Sequence, residues 1–199
     1  MGTRSSIGVH VNGKDKLTYN QYDGYPTGMG VTIYEQVCNL IREIGWEAIT
    51  KLATNLKQVK TDKEFTEAEK EKYGKYWEQV STGKDMYSLL RGLQGNLDEM
   101  LKVGIMTEYN NFIKDSLFCE WAYIFNVDEK TFEIYKGFQT EKPKAGRYKN
   151  CRKQRGYYAC GLIHTLDLSH ITPHDVFKLP EDFWYDLEKE PEEDESVTE

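Results

Sequence analysis

Apolar and polar residues alternate at the start of the chain. Ser5, Ile7, Val9 and Val11 interleave with Arg4, Ser6, Gly8 and His10, the period of a half-buried strand. Asn12-Gly13-Lys14-Asp15 has turn chemistry. Leu17, Tyr19, Gln21 and Asp23 then alternate again, which predicts a hairpin. Matching apolar with apolar pairs Val11 with Leu17 and Val9 with Tyr19, and so sets Ser5 opposite Asp23 and Arg4 beside Gly24.

The period then changes. Val31, Tyr34, Val37, Cys38 and Ile41 share one helical face, Gly45 punctuates the run, and Trp46, Ile49, Leu52, Ala53 and Leu56 resume it. Thr66-Glu67-Ala68-Glu69 reads as a helix start with acids in its first turn. Ser81-Thr82-Gly83-Lys84 reads as a break. Leu89, Leu90, Leu93, Leu97, Met100 and Leu101 form another stripe, interrupted by Gly92 and Gly95. Residues 118–127, 131–137 and 157–168 read as strands, with Asp128-Glu129-Lys130 as a turn. Thr172-Pro173-His174-Asp175 resembles a short helix start.

This order predicts an α+β fold. About five antiparallel strands, from the N-terminal hairpin and the C-terminal segments, form one sheet, with the helical middle packed on one face. Residues 1–180 are expected to form a single domain, with 181–199 as a disordered acidic tail.

Charge divides the chain in that way. The 199 residues carry a net −7, and residues 181–199 alone carry −9, so the body sums to +2. Within the body, Lys142, Lys144, Arg147, Lys149, Arg152, Lys153 and Arg155 form a basic run without an acid, interleaved with Tyr148 and followed by Tyr157 and Tyr158. Such a run reads as a solvated hairpin loop, and its seven cations are the candidate residues for binding a partner, a host protein first. Single-stranded nucleic acid is the lesser expectation, because one loop is small and the whole chain is acidic. No stretch reaches the ~18 apolar residues of a membrane span, and the opening residues lack a secretory apolar segment. A cytoplasmic setting is expected, without membrane, cofactor or metal. Cys38, Cys119, Cys151 and Cys160 are expected to be reduced; the spacing of Cys151 and Cys160 ahead of His170 and His174 is not that of a zinc site.

The remaining candidate is a loop with three glycines that feeds a helix. Its backbone N–H groups, at a helix N-terminus, would suit a phosphate or carboxylate. The candidate ligand residues are Arg4, Tyr22, Asp23, Gly24, Tyr25, Thr27, Gly28 and Gly30, with Arg4 as a bidentate fork; the loop reads equally as a structural β-to-α corner, with Asp23 capping the turn and pairing with Arg4. The loop matches neither a Walker A nor a dinucleotide fingerprint. For an enzyme acting on such a ligand, Asp23 or His10 would be the titratable group; no nucleophile motif is present.

The opening Met1-Gly2-Thr3-Arg4-Ser5 and the run Tyr19-Asn20-Gln21-Tyr22-Asp23-Gly24-Tyr25-Pro26-Thr27-Gly28-Met29-Gly30 resemble a group of uncharacterised phage and bacterial proteins. The resemblance is specific over residues 2–30. It implies a phage setting inside a bacterial host, and an accessory protein that binds and modulates a host factor, such as a component of host defence. It transfers no catalytic residue. A sponge for a small phosphorylated ligand and an enzyme are the two other expectations.

Overall fold

The computed structural model describes residues 2–78, 83–172 and 179–189. The fold is α+β. Strands β1 (Ser5–Val11), β2 (Lys14–Asn20), β5 (Trp121–Asn126), β6 (Thr131–Lys136) and β7 (Gly161–Asp167) form one sheet in the order β2-β1-β5-β6-β7. A second sheet pairs β3 (Lys57–Val59) with β4 (Ile105–Thr107). The long helix α1 (Val31–Asn55) kinks at Gly45 (φ 72°) and is followed by α2 (Glu67–Tyr73), α3 (Met86–Leu89) and α4 (Leu97–Val103). Helix α5 (Glu181–Glu188) closes the described chain.

Three expectations are corrected. The hairpin turn is only Asn12-Gly13, both with positive φ (53° and 69°), the two-residue turn that suits the strand twist. It pairs Val11 with Lys14, Gly8 with Leu17 and Ser5 with Asn20, three residues away from the apolar-matching register. The sheet is not wholly antiparallel: β1 and β5 run parallel, with Ser5 opposite Trp121. The third correction concerns the acidic tail. Residues 181–188 are helical and docked, because Phe183, Trp184 and Leu187 are apolar among the acids, and Trp184 is 4% exposed. Residues 190–199 lie outside the described residues, as do 81–82 of the expected break and 173–175 of the expected helix start.

One face of the sheet carries Ile7, Val9, Val11, Tyr123, Phe125, Phe132 and Ile134. Against it α1 buries Ile33, Tyr34, Val37, Cys38, Leu40, Ile41, Ile49 and Ala53, each large side chain contributing about 1.5–3 kcal/mol of transfer free energy. Trp184 joins this layer, 5.7 Å from the Tyr34 ring. Lys16 on β2 donates from Nζ to the carbonyls of Ala53, Thr54 and Leu56 at 2.8–2.9 Å, and so caps the C-terminal end of α1. The helix start read at Thr66 is present and is closed by a capping box, with Glu69 N–H donating to Thr66 Oγ1 and Thr66 N–H to Glu69 Oε2.

The other face is also covered, and by irregular chain. Leu17, Ala122, Ile124 and Tyr135 pack there against Ile113, Cys119, Tyr148, Ala159 and Cys160. The basic run therefore belongs to a segment laid across the sheet, not to a hairpin tip in solvent.

Candidate functional site

The glycine loop leaves β2 through Asp23 (φ 51°) and enters α1 through one wide helical turn at Pro26–Gly30. Its packing explains Gly24. A Cβ there would lie 2.8 Å from Thr3 O and 2.9 Å from Ser5 Cβ, so only glycine lets the loop approach β1 this closely. Gly24 N–H donates to Thr3 O at 2.9 Å, and Tyr123 Oη donates to Gly24 O at 2.9 Å. Arg4 and Gly24 are thus neighbours, as the sequence reading expects.

The N–H groups of this loop are engaged internally. Gly28 and Gly30 donate to Tyr25 O, and Met29 donates to Asp23 O at 2.8 Å. Thr27 N–H donates to Glu188 Oε1 at 2.8 Å. The carboxylate expected from a ligand at this helix start is supplied by α5. Tyr22 and Tyr25 remain 54% and 37% exposed.

Arg4 does not pair with Asp23. Its backbone N–H donates to Glu120 Oε1 at 3.2 Å, its Nε lies 3.7 Å from the same oxygen, and its guanidinium covers the Phe118 ring at 5.0 Å. The register shift is the reason, since Ser5 faces Asn20 and leaves Asp23 beyond the strand end. Asp23 accepts instead from Tyr25 Oη at 3.5 Å.

The basic run divides into anchors and exposed cations. Arg147 donates from Nη1 to Glu133 Oε1 at 2.7 Å and places Nη2 3.0 Å from Asp15 Oδ1. Tyr148, buried, donates to Asp15 Oδ2 at 2.6 Å. Glu133 also accepts from Asn126 at 2.8 Å and from Tyr135 Oη at 2.9 Å. His10 joins through Nδ1, 2.7 Å from Asp15 Oδ1, while its Nε2 lies 3.7 Å from Asp128 Oδ2. Burial raises the Tyr148 pKa well above the usual phenol value, and the Asp15 charge adds to this. Burial also pushes Asp128 up, but the N–H groups of Gly13 and Asn12, with the His10 and Arg147 charges, outweigh it and hold that carboxyl below its usual range. This network keys residues 147–148 into the β1–β2 hairpin. Lys142, Lys144, Lys149, Arg152 and Lys153 stay exposed, with Lys153 over Tyr158 at 4.7 Å.

Arg155 closes the run. It covers Phe118 from 5.0 Å, as Arg4 does, and its Nε lies 3.5 Å from Asp115 Oδ2. The two constellations read separately from the sequence therefore meet at one ring. Beside them opens a cleft of about 560 Å³, which sequence reasoning missed. Its walls come from 60–62, from the segment after β4 and from Gln154. The run Glu108-Tyr109-Asn110-Asn111-Phe112 was its available signal, polar and aromatic residues gathered between two regular elements.

Cys38, Cys119 and Cys160 are buried and Cys151 is half-buried; all four are free thiols. No family model, curated protein or solved structure matches the chain.

Proposed function

We propose that this is a phage-type accessory protein that binds and modulates a host protein through its basic segment, without chemistry of its own. One observation carries the reading. The segment across the second sheet face is fixed by the Arg147 and Tyr148 anchors, and it presents Lys142, Lys144, Lys149, Arg152 and Lys153 outward. A held array of cations loses little conformational entropy on docking and steers an acidic partner surface. The resemblance over residues 2–30 supports the phage setting. The sponge reading is weaker, because Glu188 already fills the seat at Thr27 N–H.

The test is capture from bacterial lysate with the wild-type chain and with a variant carrying Gln at the five exposed positions. The wild type should retain a defined acidic protein in a salt-dependent manner. The variant should lose it at an unchanged melting temperature. Equal capture by both chains refutes the assignment to this segment, and retention of nuclease-sensitive material points to nucleic acid instead.

A further inference from the structure

The chain carries its own complement to the basic segment. Residues 190–199 hold Glu190, Glu192, Glu193, Asp194, Glu195 and Glu199 and no basic residue. The exposed cations of the segment are Lys142, Lys144, Lys149, Arg152 and Lys153, joined by Arg155, whose side chain is 63% exposed. No acid lies between residues 142 and 155 to offset them locally. A fixed array of like charges attracts a polyanion.

The acidic stretch leaves the fold where the basic segment begins and ends. Glu188, in the last turn of α5, accepts from Thr27 N–H at 2.8 Å, so Lys189 lies beside the glycine loop. Gly24 of that loop donates to Thr3 O. The nearby Ser5 pairs with Trp121, Trp121 with Lys136, and Lys136 with Gly161. These positions share one end of the sheet, and the basic segment departs from that end after Lys136 and returns to it at Gly161. Arg4 and Arg155 flank Phe118 there, each 5.0 Å from its ring. Ten extended residues reach ~33 Å. The step from the glycine loop round the sheet end to the covering layer is about 10 Å, which leaves about 20 Å, the length of a six-residue strand, to lie along the cations.

We propose that residues 190–199 dock on the basic segment as an internal acidic ligand and compete there with an acidic protein partner. The regulation of partner binding rests on the function proposed above; the docking rests on charge and reach. Trp184 and Glu188 fix the root of the stretch, so it meets the array at an effective concentration of about 1 mM. A free acidic peptide with a dissociation constant on the order of 0.1 mM is then weakened about tenfold. The contact joins exposed charges, so it fades at ~1 M salt, where the Debye length is about 3 Å.

The experiment compares the 15N-labelled full-length chain with a full-length variant carrying Glu190→Gln, Glu192→Gln, Glu193→Gln, Asp194→Asn, Glu195→Gln and Glu199→Gln. The surrogate partner is an end-blocked peptide of six glutamates. At low salt the amide signals of 142–155 should differ between the two chains, independently of protein concentration, and the difference should vanish at ~1 M salt. The peptide should bind the variant about tenfold more tightly than the wild type, and should not bind the chain with Gln at the five exposed basic positions. Identical signals at 142–155, or equal peptide affinity for the two chains, overturn the internal contact and leave the function proposed above standing. Differences that persist at ~1 M salt, or that grow with protein concentration, also overturn it, the latter by placing the stretch on another copy. A peptide that binds neither chain removes the acidic-partner surface itself, and both readings fall.

Discussion

Arg147 belongs to the basic run, yet its geometry makes it a keystone of the fold, and the two roles separate under mutation. Arg147→Met keeps the apolar stem and removes the fork. Glu133, whose side chain is 8% exposed, and Asp15, 20% exposed, both lose their cation. Stranding a fully buried carboxylate by removing its partner costs about 3–5 kcal/mol. Here the sum is smaller. Glu133 keeps its bonds from Asn126 and Tyr135, Asp15 keeps those from Tyr148 and His10, and the Arg147 side chain is 27% exposed. A loss of about 2–3 kcal/mol follows, or roughly 5–10 °C in melting temperature for a chain of this size. Arg147→Lys keeps a charge without the bidentate reach and should fall between. Thermal unfolding by circular dichroism gives the magnitude, and amide exchange should show faster exchange at residues 147–151 and on β2 than elsewhere. A melting temperature within about 1 °C of wild type for Arg147→Met would refute the anchor, and would return Arg147 to the partner-binding surface.

Three further outcomes are expected. Glu69→Gln should remove a helix-stabilising contribution of about 1 kcal/mol. The Lys63 hydrogen bond, then the Thr66 N–H, hold the Glu69 pKa down to about 2, so in wild type that contribution is complete above the ordinary carboxylate range and fades as pH falls toward 2, which amide exchange over 66–73 will read. Only Cys151 should react quickly with a thiol reagent in the native chain; burial pushes Cys38 up to about 11 and Cys119 far above its usual value, so four fast-reacting thiols before unfolding would contradict the buried placement. Trp184→Ala should cost about 3–4 kcal/mol and release α5, seen as loss of protection at Thr27 N–H, whereas Glu188→Gln should leave the melting temperature within about 2 °C.

The fold class was legible because period and length separate the elements. Alternation marks β1, β6 and β7, and helical spacing marks α1 on both sides of Gly45. The hairpin register was not, because apolar matching across strands competes with turn geometry, and Asn12-Gly13 wins by supplying two positive φ angles. The β1–β5 pairing has no local signature at all. Helix α5 was hidden by charge: Phe183, Trp184 and Leu187 stand at helical spacing, but the surrounding acids dominate any compositional reading. The candidate sites were legible as residue types and not as contacts. Arg4 and Arg155 meet at Phe118, which only the tertiary arrangement brings within reach of both.

The parallel pairing of β1 with β5 sets the order in which this chain can assemble. Ser5 meets Trp121, and the bond from Arg4 N–H to Glu120 spans 116 residues. During synthesis at about 5–20 residues per second, the first hairpin waits many seconds with Ile7, Val9 and Val11 lacking their final neighbours, and the edge of β1 that will receive β5 stays open. A lone two-stranded hairpin is marginal in water, so β1, an interior strand of the finished sheet, is the first made and among the last secured. Loop closure across that span makes the folding rate slow for a chain with this much helix. Destabilising β5 should therefore slow folding, whereas loosening α5, which packs on an already formed sheet, should chiefly speed unfolding.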